Sequence, residues 1–283
     1  AIAQAGHDDR PHLVGREPPA AGVPELLENL LTTDLNLTTA DVYRVSGPLQ
    51  LSDLTSLGEL GTVPHLRIEP LVPSIPLRVR ESESMFQCIK NGDLLLHHPY
   101  DSFDPVVRFL EEAAEDSEVL AIKQTLYRTS ADSPIARALA RAVDYGKQVT
   151  VLVEIKARLD EANNIEWARR MEEAGVHVVY GLVGLKTHCK IALIVRRESS
   201  GIKRYIHLGT GNYNPHTAKA YTDVSLFTAR DDIGEDSTAL FNVLTGYASN
   251  PRWKRFAVAP FDLRDKIIAL IDRESDFARR GER

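Results

Sequence analysis

Cysteine is scarce in this chain of 283 residues: Cys88 and Cys189 are the two present, and no metal-ligand spacing relates them. That excludes a disulfide scaffold and a cysteine-based zinc site, and it fits a reducing compartment. Long hydrophobic runs are also missing, since no uninterrupted apolar stretch approaches the roughly 20 residues of a membrane span. No secretory leader pattern is seen, so the cytoplasm is the expected location and no transmembrane segment is expected. Excess positive charge is the third absence. With 34 Lys and Arg against 40 Asp and Glu, the formal net charge of −6 disfavours general nucleic-acid binding. No nucleic-acid partner is expected, and any polyanion has to be held by a local basic cluster.

What remains is an ordinary globular composition, 43% hydrophobic and 26% charged. The length suffices for a well-buried core and lies where single domains begin to split, so two units are expected. The chain opens at Ala1 and closes in a charged helical pattern, which reads as a piece of something longer.

Residues 1–22 hold Pro11, Pro18 and Pro19 with little apolar periodicity and read as a mostly irregular lead-in. A helix fits Pro24–Leu31, a strand Asp41–Val45, and helical spacing Leu49–Leu60. Pro64, Pro70, Pro73 and Pro76 make residues 61–80 the best linker, with a domain boundary near residue 75. Beyond it the pattern turns regular. A helix is expected over 81–91, a strand over Asp93–His97, and a helix from Asp104 with Pro105 in its first turn. Strand Val119–Tyr127, helix Ser133–Tyr145, strand Gln148–Ile155, helix Glu161–Ala174 and strand Val176–Tyr180 follow. Strands alternating with helices predict an α/β fold, with a mostly parallel or mixed sheet covered on both faces. Arg204–Gly209 and Tyr221–Thr228 are the remaining strands; helices over Glu235–Ala248 and Leu263–Ala278 close the chain.

The stretch Gly184-Leu185-Lys186-Thr187-His188-Cys189-Lys190 runs into Ile191-Ala192-Leu193-Ile194-Val195. Read as one strand, it puts Cys189, Ile191, Leu193 and Val195 on the core side and Lys186, His188 and Lys190 on the opposite face. An imidazole between two ammonium groups has its pKa lowered and stays neutral and nucleophilic, while the lysines attract an anion. Phosphoryl chemistry suits such a face. Taken alone, the pattern reads first as a half-buried strand whose polar face meets solvent.

Sites in sheets of this kind gather at the carboxyl ends of strands, where Arg128 and Arg158 fall. Arginine suits bidentate contact with phosphate oxygens, although either residue by itself also reads as an ordinary ion-paired arginine, Arg158 with Asp160 or Glu161. Last comes Tyr205-Ile206-His207-Leu208-Gly209-Thr210-Gly211-Asn212-Tyr213-Asn214-Pro215, a strand entering a glycine-spaced turn. There Thr210, Asn212 and Asn214 are able to donate to anionic oxygens. In isolation it reads as an ordinary turn, with His207 structural.

Four motifs together, Gln124-Thr125-Leu126-Tyr127-Arg128, Glu154–Ile165, Gly184–Lys190 and His207–Asn214, resemble bacterial polyphosphate kinases of the phosphohistidine type, which carry a phospholipase-D-like catalytic domain. The resemblance covers the chain from about residue 24 to its end. It implies a transferase that reversibly moves the terminal phosphate of ATP onto inorganic polyphosphate. His188 stands at the phosphohistidine nucleophile, with Lys190 beside it. Arg128 and Arg158 stand at the magnesium and phosphate site, and Tyr221 at a nucleotide-contacting position; Lys186 and Asn212 join the phosphate-binding set. Mg2+ is the implied cofactor, ATP, ADP and polyphosphate the implied partners, and a homo-oligomer the expected full-length state. Arginine has no lone pair to offer a metal, so both arginines read as phosphate clamps beside a magnesium held by phosphate oxygens and water.

The domain order of the family then implies that residues 1–74 end the domain preceding the catalytic halves. Residues 75–255 form the first phospholipase-D-like half, and 256–283 begin the second. Two departures stand out. Phospholipase-D motifs place an aspartate five positions after the lysine, where this chain has Val195. The family also draws another histidine and an arginine from the second half, and no second His-x-Lys occurs here. A chain of this extent is therefore expected to be inactive alone. The competing readings are a phospholipase-D-like phosphodiesterase or nuclease, and a non-catalytic module that binds polyphosphate.

Overall fold

A computed structural model describes residues 2–5, 11–17, 25–46, 54, 56–58, 64–66, 68–127, 133–154, 161–182, 184–248 and 251–282. The chain divides into two compact units, Ala1–Pro70 and Leu71–Arg283.

In the first unit, strands β1 (Ile2–Ala5), β2 (Pro11–Glu17) and β3 (Val42–Ser46) form a sheet in that order. β1 pairs antiparallel with β2, and β2 runs parallel to β3, with Leu13 opposite Val42. The irregular lead-in expected for residues 1–22 is thus corrected. β2 is held by a backbone ladder with β3, distant in sequence, and β1 by its ladder with β2, so the strands form where the local pattern does not announce them. Helix α1 (Glu25–Asp34) matches its expected position, with two of its four leucines more than half exposed, Leu26 at 83% and Leu30 at 54%. The helical spacing expected over Leu49–Leu60 lies largely outside the described residues; a 3-10 turn covers Ser56–Gly58.

The second unit is built on a seven-stranded sheet whose members, in chain order, are β4 (Leu94–His98), β5 (Val119–Leu126), β6 (Gln148–Val153), β7 (His177–Tyr180), β8 (Lys190–Glu198), β9 (Gly201–Gly209) and β10 (Asp223–Thr228). Their spatial order is β4-β10-β9-β8-β5-β6-β7. The sheet is mixed. Only β5, β6 and β7 run parallel to their neighbours, and the β5–β8, β8–β9, β9–β10 and β10–β4 pairs are antiparallel. Helices α5 (Pro134–Asp144) and α6 (Glu161–Glu173) supply the parallel crossovers, whereas β8 and β9 are joined by a tight turn at Gly201, whose φ of 115° suits glycine.

Both faces are covered. α3 (Met85–Lys90), α4 (Asp104–Glu115), α5 and α6 bury Phe86, Phe109, Leu139 and Trp167 against Ile122, Val151 and Ile194. On the other face α7 (Asp231–Leu244), with Trp253, Phe256 and Val258, packs on Leu152, Ile191, Leu193 and Ile206. The helix expected over 81–91 is the shorter α3, which starts at Met85 because the Ser84 hydroxyl accepts the Gln87 N–H at 3.0 Å and caps it; a separate helix α2 (Leu77–Arg80) precedes it. Helix α8 (Leu263–Arg279) has no buried residue, and Ile267, Leu270 and Ile271 are about half exposed. Among the described residues no helix is long and apolar enough to cross a membrane.

Candidate phosphoryl-transfer site

One edge of the large sheet collects the chemistry. Tyr127 and Glu154 directly follow β5 and β6, Gly209 ends β9, and Lys190 and Asp223 begin the antiparallel β8 and β10. Strand ends of both directions therefore meet at one rim. A cavity of about 170 Å³ opens there, lined by His188, Lys190, Asn212, Tyr221 and Asp223 with the Thr210–Gly211 turn. The structure thus brings His188, Lys190, Asn212 and Tyr221 together. Lys186 joins them from the side: its Nζ lies 5.4 Å from the centroid of the Tyr127 ring, and Lys190 Nζ lies 5.7 Å from it. Tyr127 also meets His188 edge to face, with ring centroids 5.6 Å apart. Arg128 and Arg158 lie outside the described residues.

His188 is not on a strand, which corrects the sequence reading. It sits in the irregular connection between β7 and β8, because the peptide groups around it bond to side chains instead of to a neighbouring strand. The Thr187 N–H donates to Glu154 Oε2 at 2.8 Å, and the Cys189 carbonyl accepts from the Thr125 hydroxyl at 2.8 Å. The simple alternation across Cys189 and Lys190 fails as well: Cys189 is exposed while Lys190 is 6% exposed. β8 is central and covered on both faces, so its first five residues are all buried and no polar face survives within it. Convergence of Lys186, His188 and Lys190 holds nonetheless, around Tyr127 instead of along a strand face.

The His188 imidazole has its pKa lowered, first by partial burial, then by Lys190 and Lys186. The direction agrees with the sequence argument, but desolvation outranks charge. Lys190 is itself pushed down by burial, opposed by attraction to Cys189 and Asp223. Its Nζ lies 3.0 Å from His188 Nδ1 and 2.5 Å from the His188 carbonyl oxygen.

In the glycine-spaced turn, Thr210 and Asn214 are not free for a ligand as the sequence suggested. The Thr210 hydroxyl donates to Asp223 Oδ1 at 2.8 Å and accepts the Val224 N–H at 2.9 Å. Asn214 Oδ1 accepts the His216 N–H at 2.9 Å. Asn212 differs, since its Oδ1 is buried without a hydrogen-bond partner among the described residues. Gly211 is required by the Asp223 carboxylate, into which any Cβ there would run. His207 is structural: it is 1% exposed, pairs through Nδ1 with the Tyr213 hydroxyl at 2.7 Å, and has its pKa pushed to about 3 by burial and then by His98.

Tyr127, Thr125, Glu154 and Asp223 were not singled out from the sequence. The first three stand inside the motifs that carry Arg128 and Arg158, and that adjacency was the signal available. A second, larger cavity of about 680 Å³ shares the Lys186–Lys190 stretch and is lined mainly by apolar side chains, including Leu208, Leu244, Phe256 and Pro260.

A family model described as polyphosphate kinase C-terminal domain 1 matches residues 84–250, more than half of the chain. A polyphosphate kinase of Mycolicibacterium gilvum is 54% identical over 263 residues, and one of Prosthecochloris aestuarii 51% over 255. Those alignments take in 91% and 90% of this chain but 36% of each relative, so the chain spans about a third of the length of these curated proteins. The crystal structure of polyphosphate kinase from Porphyromonas gingivalis superimposes with a TM-score of 0.76 at 33% identity, over 99% of this chain and 44% of that one.

Proposed function

The chain belongs to the polyphosphate kinase family through its C-terminal domain 1, and from that premise we propose that it carries the nucleophile-bearing part of an ATP:polyphosphate phosphotransferase. His188 takes the terminal phosphoryl group of ATP and passes it to the end of a polyphosphate chain, the reverse transfer running through the same phosphohistidine. The observation that supports this most directly is an imidazole, its pKa lowered by burial and then by Lys190 and Lys186, held 3.0 Å from an ammonium in the lining of a small cavity. In the first transfer a ring nitrogen lone pair forms the N–P bond while the bond to the ADP oxygen breaks. In the second, a terminal polyphosphate oxygen displaces the imidazole.

Lys186 and Lys190 offset charge on the transferring group. Arg128 and Arg158 clamp its oxygens, and Asn212 and Tyr221 contact the nucleotide phosphates and the nucleoside. For magnesium, no group of three or more His, Cys, Asp or Glu suited to a metal occurs among the described residues. Asp223 is the carboxylate lining the cavity, and it is already bonded to Thr210. This donor set fits an ion that arrives on the phosphates and is held by their oxygens and water. Magnesium then offsets phosphate charge.

Phosphodiester hydrolysis is disfavoured by Val195, which packs on the apolar face shared with α7 where a phospholipase-D site would carry an aspartate. The test uses the full-length enzyme and ATP labelled in its terminal phosphate. Acid-labile, base-stable label on the parent and none on His188→Ala is the expected result; equal label on both would refute the assignment.

A further inference from the structure

The peptide groups on either side of His188 are held from two different strands. Glu154, directly after β6, is 4% exposed, and its Oε2 accepts the Thr187 N–H at 2.8 Å. Thr125, on β5, is also 4% exposed. Its hydroxyl donates to the Cys189 carbonyl at 2.8 Å and accepts the Ile191 N–H at 3.1 Å. The residue between these anchors, His188, is exposed. A buried carboxylate beneath a site for anions opposes the ligand by charge alone. Its bond to the Thr187 N–H gives it a positional role at this place.

Without these two side chains the segment before β8 would have no ladder to hold it, because β8 pairs with β9 only from Lys190 onward and with β5 only as far as Ala192 opposite Gln124. We propose that Glu154 and Thr125 are positioning residues that clamp the backbone on both sides of His188 and so fix the nucleophile for in-line attack. This rests on the phosphohistidine reading above. Phosphoryl transfer depends mainly on placement, and a displacement near 1 Å costs on the order of a hundredfold in rate.

The test combines hydrogen exchange on this chain with label incorporation by the full-length enzyme. Glu154→Ala is expected to speed exchange of the Thr187 amide by about tenfold or more, the size of a lost hydrogen bond to a charged group. It is also expected to slow phosphohistidine formation at saturating ATP by about tenfold or more while changing the apparent KM less than about threefold. Glu154→Gln, which keeps an acceptor oxygen, restores both. Thr125→Val repeats the pattern at the Ile191 amide, and Thr125→Ser rescues it. A structural role alone would loosen amides throughout β6 and β8 and leave the rate per folded molecule unchanged, which would overturn the proposal. An unchanged Thr187 amide in Glu154→Ala overturns it too, whether or not the parent takes up label. Absence of label on the parent enzyme counts instead against the phosphohistidine reading, and the exchange data then decide the clamp by themselves.

Discussion

Lys190 Nζ lies 3.0 Å from His188 Nδ1. An ammonium only donates, so with Lys190 charged the facing nitrogen must accept, and an imidazolium in that place would set two donors against each other. The contact therefore selects the neutral ring. Burial and Lys186 favour the same state.

Replacing Lys190 by Met removes the charge and retains the volume, so the His188 pKa is expected to rise towards the ordinary value of 6.5. Lys186→Met should raise it less, because Lys190 is the larger of the two charge effects. Neither variant restores the ordinary value, since burial is the first cause and remains. In activity terms the neutral ring is lost as pH falls through its pKa, so the acid limb moves to higher pH in both variants. Proton NMR titration of the His188 ring decides, and an unchanged or lower pKa in Lys190→Met contradicts the argument.

Tyr127 has a narrower role. Its ring meets His188 edge to face and lies within 6 Å of both lysine ammonium groups, each contact contributing on the order of 0.5–1 kcal/mol. Tyr127→Phe keeps the ring and should retain the parent rate. Tyr127→Leu should slow phosphohistidine formation about fivefold and move the His188 ring-proton shifts, which report the lost ring current. Equal rates in Phe and Leu variants would show that the ring is not needed.

His207 links the site's scaffold to acid stability. Buried at the end of β9, it titrates at about 3 in the folded protein, against 6.5 as its ordinary value. Between those values the unfolded chain binds a proton that the folded chain does not, so stability falls as pH falls through that window. The slope approaches about 1.4 kcal/mol per pH unit. Denaturant unfolding at several pH values should show this loss in the parent and a flatter profile in His207→Gln; parallel profiles would remove His207 as the cause.

The elements of the large unit were legible because each carries its own signals. Pro134 starts α5 and Gly146 (φ 78°) follows its end; Gly175 (φ 81°) follows α6 in the same way. Strand direction was less so. A parallel strand needs a crossover that the sequence displays as a helix, but β8 and β9 turn back through two residues, Ser199 and Ser200, and the helix that would have betrayed a parallel arrangement is simply not there. At the site, the types of His188 and Lys190 announced the chemistry. What holds them did not show, because Thr125 and Glu154 bond to peptide groups more than thirty residues away and leave no local periodicity.

Arg128 and Arg158, named from the sequence, follow two neighbouring parallel strands, β5 and β6, whose ends lie side by side with Leu126 opposite Val153. Arg→Ala at either is expected to cost about a hundredfold or more in turnover, the scale of losing a donor to the developing charge, with unfolding midpoints near the parent. Single-turnover measurements with each variant check this; a variant at parental rate removes that arginine from the clamp.

Binding should outlast catalysis when this chain is studied alone. Its span is 36% of its relatives' length, and the family resemblance assigns another histidine and an arginine to the second catalytic half, so no ATP turnover is expected from it. Lys186 and Lys190 still face the cavity region, and against a net charge of −6 they must attract a polyanion locally. Raising ionic strength from about 0.1 M to about 1 M shortens the screening length from about 10 Å to about 3 Å. Polyphosphate binding to this chain, followed by anisotropy of a labelled polymer, should therefore be weak at the lower salt and vanish at the higher. Lys186→Gln should weaken it about twofold to fivefold, as befits an exposed ionic contact, without disturbing the fold. Salt-insensitive binding, or binding untouched by Lys186→Gln and by a Lys190→Met change alike, would place the polyanion elsewhere on the surface. Turnover of ATP by these residues, absent from a His188→Ala control, would show that the second half is dispensable for the reaction.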